Sequence, residues 1–75
     1  MRVVANMNAK VWKVNHGVGD AVKPGDVLLI LEAMKMEILV KAPAGKGLYT
    51  VARALKGEGE LVEPGDVLFA LDPEA

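Results

Sequence analysis

The stretch that decides the fold is "VKPGDVLLILE", residues 22–32, because the chain contains it twice. Forty residues on, residues 62–72 read "VEPGDVLFALD", identical at seven of eleven positions, with Glu32 exchanged only for Asp72. A match of that length is an internal duplication, and such units bury an apolar face only by packing on one another. Upstream the match continues at an offset of thirty-seven, "VVANMNAKVWKV" at residues 3–14 lying over "VKAPAGKGLYTV" at residues 40–51. That overlay places about three extra residues between Val51 and Gly57, within "ARALK", and predicts a longer connection there.

Each copy opens with a turn. In "KPGD", Pro24 fixes φ near −65° and Gly25 accepts a positive φ, as a type II turn requires; Pro64 and Gly65 repeat the device in "EPGD". The runs that follow are short, aliphatic and rich in valine, and glycines at 17, 19, 45, 47, 57 and 59 interrupt any helical period. This predicts an all-β chain with strands of about five residues. Residues 51–56 are the one helical candidate. Two similar halves, about 1–34 and 35–75, packed around a shared core would form a single domain over 1–75 and reduce exposed strand edges. An approximate two-fold axis would make Ala75 the counterpart of Lys35, with the "AMKM" turn at one end of the molecule and the termini at the other.

Composition removes several function classes. The chain has 75 residues, no cysteine, one histidine and no serine, so disulfides, thiolate chemistry and a serine–histidine–acid triad are excluded. No acidic cluster suggests a metal site. Nine basic and ten acidic residues are scattered, which argues against nucleic-acid binding, and no apolar run is long enough to span a membrane. The lack of cysteine fits a reducing cytoplasm. "GVGD" and "GEGE" resemble phosphate loops only loosely, since neither opens a helix. His16 reads as an exposed loop residue, and Trp12, one of three aromatics with Tyr49 and Phe69, either as packing over the barrel surface, the reading favoured, or as marking a contact patch.

Between the copies lies "LEAMKME", residues 31–37. Pairing Glu32 with Glu37, Leu31 with Ile38 and Ile30 with Leu39 sets apolar residues opposite apolar ones and leaves Ala33, Met34, Lys35 and Met36 as a hairpin turn. Its centre is poor turn chemistry: a two-residue type I′ turn wants Asn or Gly at positive φ, and Met34 with Lys35 supplies neither. A local rule broken at one defined place marks a candidate functional site.

"EAMKM", with its central lysine, resembles the attachment motif of biotin carboxyl carrier domains, within the biotin/lipoyl attachment family. "GDAVKPGDVLLILEAMKME" before it and "APAGKG…GEGELVEPGDVLFALD" after it extend the resemblance over nearly all 75 residues. The resemblance implies a flattened antiparallel β-barrel (barrel-sandwich hybrid) of two pseudo-symmetric halves. It makes Lys35 the residue that a biotin protein ligase joins to biotin, so that the domain shuttles CO2 as carboxybiotin from a biotin carboxylase to a carboxyltransferase or decarboxylase subunit. The chain is then a carrier rather than an enzyme, expected to be monomeric on its own. Three departures stand out: Asn6 replaces a usual proline and Ala9 a usual glycine, the extra residues fall around Ala52 to Ala54, and residues 14–27 hold no protruding insertion, as in the thumbless members of the family.

Lysine is overwhelmingly protonated at neutral pH, and the only carboxylates beside Lys35 in the sequence are Glu32 and Glu37. The base and the activated acyl group are therefore expected from the ligase. Met34 and Met36 read either as gap-filling core residues or as a soft contact surface for partner enzymes, and at a hairpin tip both cannot be buried. Ala33 is either a small turn residue or one kept small for ligase access; Glu32 and Glu37 are either solvated strand ends or recognition groups. Two alternatives stay open: a lipoyl carrier on the same fold, and an unmodified barrel acting as a scaffold.

Overall fold

The computed structural model describes residues 1–74, so Ala75, the expected counterpart of Lys35, lies outside the described residues. Eight strands follow in order: β1 (Arg2–Val4), β2 (Ala9–Val14), β3 (Ala21–Val22), β4 (Val27–Ala33), β5 (Met36–Lys41), β6 (Tyr49–Ala54), β7 (Leu61–Val62) and β8 (Val67–Pro73). They form two four-stranded antiparallel sheets, β1-β8-β6-β3 and β5-β4-β2-β7. The described residues contain no helix, and so none long and apolar enough to cross a membrane.

The strands form where the sequence alternates. Along β2, β4, β6 and β8 the inward positions are Val11, Leu29, Leu31, Val51, Phe69 and Leu71, each 1% exposed or less. Leu28 and Leu68, also fully buried, sit where the neighbouring edge strands shift register, so consecutive residues can both turn inward. Each buried aliphatic side chain of this size is worth about 1.5–3 kcal/mol. Among the described residues no polar or charged residue is buried; the core is held by apolar packing and backbone ladders.

The duplication is a physical two-fold. Val11, Val22, Leu28, Leu29 and Leu31 have their equivalents forty residues on in Val51, Val62, Leu68, Phe69 and Leu71. Both "PGD" turns have the expected geometry, with φ of 88° at Gly25 and 92° at Gly65. In each, an aspartate carboxylate accepts the backbone N–H three residues back, Asp26 from Lys23 at 2.8 Å and Asp66 from Glu63 at 2.9 Å. The "GVGD" and "GEGE" segments are turns of the same form, closed by Asp20 on Gly17 and Glu60 on Gly57. Each turn then bonds the other half: Gly19 donates to Val51 in β6 and Gly59 to Val11 in β2, while Gly25 donates to Ala42 and Gly65 to Ala5, the residues just after β5 and β1. The halves are laced together rather than merely stacked.

Two expectations are corrected. The second half is not longer between Val51 and Gly57: β2 and β6 superpose at an offset of forty, each with a bulge, after Val11 and after Val51. Only β1 matches β5 at thirty-seven, Val3 facing Phe69 as Val40 faces Leu29. The three extra residues therefore lie in 42–48, which joins β5 to β6, against 5–8 between β1 and β2. There they make room for Tyr49, buried where the first half has Ala9; its hydroxyl donates to the Ala44 carbonyl at 3.1 Å. Residues 51–54, two-thirds of the helical candidate, belong to β6, which pairs with β8; ladder pairing overrides the helix-favouring alanines and arginine.

Connectivity sets the ends. The turn after β3 carries the chain from the Tyr49 and Pro73 end of one sheet to the Val27 and Lys41 end of the other. The β4–β5 hairpin thus points to the opposite end from the amino terminus, which is tied to Leu71 by Met1 N–H donating to its carbonyl at 2.9 Å. The long axis of the molecule measures 38 Å.

Candidate functional site

Strands β4 and β5 pair continuously to the tip: Ile30 with Leu39, Leu31 with Ile38, Glu32 with Glu37 and Ala33 with Met36. This is the register read from the apolar pattern. It leaves two residues, Met34 and Lys35, to reverse the chain, with φ of 52° and 65°. Among the described residues these are the only non-glycine positions with positive φ. A two-residue reversal between twisted strands demands that conformation at both positions. The side chains pay a steric cost of about 1–2 kcal/mol per residue for it. The hairpin holds the strain because Leu31 is fixed in the core beneath it, 1% exposed.

The tip offers its side chains to solvent. Met34 is 94% and Met36 64% exposed, so neither fills a gap in the core. Lys35 is exposed and takes part in no hydrogen bond or ion pair among the described residues. Ala33 is half-buried and Glu32 and Glu37 are exposed. Glu32 and Glu37 stand directly opposite, a like-charge pairing that a sheet does not favour. All six residues singled out in the sequence are gathered on this one hairpin.

The arrangement presents an amine on a rigid stalk without any group beside it to do chemistry. Among the described residues no base is paired with Lys35 and no cluster could hold a metal.

Other candidates fall elsewhere. His16 sits 3.5 Å from Asp20 in a solvent-facing turn, away from the hairpin. Trp12 occupies the β2 bulge and is half exposed rather than packed away, 50%. Sequence reasoning missed the residues beside it, Lys10 and Leu61, which share the outer face of the hairpin sheet. The duplication held the signal, since the forty-residue offset matches Leu61 with Ala21 and Trp12 with Ala52.

Fold and tip together define an all-β attachment domain: two duplicated halves, with a lysine at the apex of the hairpin between them. Residues 3–71 match the biotin/lipoyl family model described as "Biotin-requiring enzyme", and the chain belongs to that family. Among curated proteins it is 60% identical over 35 residues to the gamma subunit of glutaconyl-CoA decarboxylase from Acidaminococcus fermentans, covering 47% of this chain and 24% of that one. It is 42% identical over 53 residues to a putative urea carboxylase of Emericella nidulans, covering 71% of this chain and 4% of that one. The crystal structure of Kluyveromyces lactis urea carboxylase superposes with a TM-score of 0.80 at 33% identity, over 92% of this chain and 6% of that one. A single-chain, multi-domain long-chain acyl-CoA carboxylase superposes at 0.86 and 28% identity over 100% of this chain, 7% of its own. The chain thus spans from a twenty-fifth to a quarter of these curated relatives.

Proposed function

We propose that Lys35 is the biotin attachment residue of a carrier domain in a biotin-dependent carboxylase or decarboxylase system. The observation that carries the reading is the tip itself: an exposed lysine at positive φ on a hairpin whose register is fixed by the core. Membership of the family and the carboxylases and decarboxylases among the similar proteins support biotin over lipoate.

The residues fit the group. Acylation needs the neutral amine, and no basic or acidic side chain of the chain contacts Lys35, so the base comes from the ligase. The amine nitrogen bonds to an acyl carbon activated on that ligase, the bond to the leaving group breaks, and the ammonium proton passes to the ligase base. When bound, biotin supplies a ureido ring able to take up and release CO2. The chain contributes position: the long side chain, extended by the arm, moves about a fixed apex, which raises the local concentration of the ring at partner sites without tight docking. Glu32, Ala33, Met34, Met36 and Glu37 form the surface that the ligase meets. The partners are the ligase, a biotin carboxylase and a carboxyltransferase or decarboxylase.

The test is the intact mass of the chain after co-expression with a biotin protein ligase in biotin-supplemented medium, followed by peptide mapping. One biotinyl addition on the peptide containing Lys35 is expected. An unmodified chain, beside a control carrier labelled in the same cells, refutes the reading; a lipoylation assay then separates a lipoyl carrier from a scaffold.

A further inference from the structure

The internal two-fold supplies a control that few proteins offer, because most outer-face residues of one sheet, though not Glu37, have an equivalent on the other with the same backbone setting. Across the hairpin sheet one row runs Leu61, Lys10, Glu32, Glu37, all exposed. The next row runs Lys13, Ile30, Leu39, with Trp12 bulged out beside it. The equivalent positions of the opposite sheet pair Ala21, Thr50 and Asp72 in one row and Arg53, Ala70 and Arg2 in the next, with Ala52 in the bulge. Leucine thus faces alanine across the axis, tryptophan faces alanine, isoleucine faces alanine, and leucine faces arginine. The fold is satisfied by the small and polar set, so the large apolar set on the hairpin side is not there for folding.

The exposure is large. Leu61 is 76%, Trp12 50% and Leu39 49% exposed. Two shallow grooves flank Lys10: one of about 250 Å³ is lined by Trp12, Glu32 and Gly59, and one of about 510 Å³ by Asn8, Glu32, Leu61 and Glu63. Lys10, Glu32 and Glu63 have no ion-pair partner among the described residues, although Lys10 and Glu32 are direct cross-strand neighbours. An apolar centre rimmed by unpaired charges is the anatomy of a protein-binding patch.

We infer that this face, centred on Trp12 and Leu61, docks the ligase that acylates Lys35. The inference rests on the carrier reading above and deepens it. The Cα of Glu32 lies within about 11 Å of that of Lys35, since three residues separate them. Reach decides between the possible enzymes. The ligase must bring its catalytic groups to the bare Lys35 amine, one side chain from the backbone, and its body is forced against the flanking sheet. Enzymes that use the finished arm meet it farther out. The partner surface that fits offers apolar side chains to the two grooves, basic groups to Glu32, Glu37 and Glu63, and a carboxylate to Lys10.

The test uses the whole chain and a purified biotin protein ligase. In the non-acylatable Lys35→Arg variant, ¹⁵N-labelled, the single tryptophan gives one indole N–H resonance, which is expected to shift or broaden on addition of unlabelled ligase, along with the tip amides. Initial rates of biotin addition then compare Trp12→Ala/Leu61→Ala with Arg2→Ala/Arg53→Ala on the opposite face, each checked for native unfolding. The first pair is expected to raise KM about tenfold or more at unchanged kcat, and the second to change it less than about twofold. A stationary indole resonance with moving tip amides, or equal rates for both pairs, overturns the docking face while leaving the carrier reading intact. A wild-type chain that accepts no biotin defeats the carrier reading first and this inference with it.

Discussion

The two halves of the chain fold alike and end differently. Buried positions repeat at an offset of forty, down to paired bulges and paired turn carboxylates. What does not repeat is the reversal after β4, where Met34 and Lys35 take a conformation that their side chains resist. The contrast separates two demands on one sequence. Positions that match across the axis answer to the core, and exposed positions that break the match are candidates for serving something other than stability; buried Tyr49, which faces Ala9, is a mismatch that the core itself uses.

The sharpest way to break that comparison is to change one unmatched and one matched residue. Lys35→Arg keeps a positive, extended side chain but replaces the amine with a guanidinium that stays protonated. Loss of biotin addition is expected to be complete by intact mass, with stability within about 0.5 kcal/mol of wild type by denaturant unfolding. Phe69→Ala does the reverse. Phe69 is fully buried, and its truncation is expected to cost about 3–5 kcal/mol. That is a large share of a domain this size, whose stability is on the order of 0.05–0.15 kcal/mol per residue. Leu29→Ala, its partner across the axis, is expected to cost about 2–5 kcal/mol. Chemical denaturation of both variants checks whether the two halves of the core carry comparable weight.

Much of this was legible before any coordinates. The "PGD" turns, the duplication and the hairpin register all follow from residue chemistry at fixed spacing, and the register could be read because Ile30, Leu31, Ile38 and Leu39 match only one way. The misplaced three residues have a physical cause. β1 and β5 do match at thirty-seven, and carrying that offset onward laid Val14 over Val51, whereas the equivalent of Val51 is Val11 and Val14 corresponds to Ala54. Residues 51–56, too short a helical candidate to weigh against the all-β reading, are strand as far as Ala54 because propensity is local, while the pairing of Val51 with Leu71 is not. The face around Trp12 and Leu61 was half legible: the offset of forty already set Leu61 against Ala21, but the offset of thirty-seven laid Trp12 over Tyr49, aromatic over aromatic, and only forty sets it against Ala52.

The loop of residues 42–48 sharpens the comparison at a smaller scale. Gly45 has no counterpart in the shorter loop of the first half, and a Cβ built on it would sit 2.5 Å from the Tyr49 hydroxyl oxygen. A glycine-to-alanine change in an unstrained loop stabilises by about 0.4–1 kcal/mol through the unfolded chain. Here the clash reverses the sign, and Gly45→Ala is expected to destabilise by about 1–2 kcal/mol, in the range of an overpacked site. In a Tyr49→Phe background, where the hydroxyl is gone and its bond to Ala44 already lost, the same change is expected to cost less. Thermal unfolding of the four variants in the cycle measures the difference, and equal costs in both backgrounds would place the strain elsewhere.

The smallest effect is the most informative about the tip. Met34→Gly removes a side chain from a left-handed position, a relief of about 1–2 kcal/mol, offset by about 0.5–1 kcal/mol of extra chain entropy in the unfolded state. The net is a stabilisation of about 0.5 kcal/mol, or a rise of about 2–4 °C in Tm for a domain of this length. If Met34 is part of the surface that the ligase meets, the same variant accepts biotin more slowly, because a soft apolar contact is lost from a tip that otherwise keeps its shape. Stability and labelling rate would then move in opposite directions. A variant that gains stability and labels at the wild-type rate would leave the strain at Met34 without a use; one that loses stability would show that the turn is held by contacts of the methionine itself.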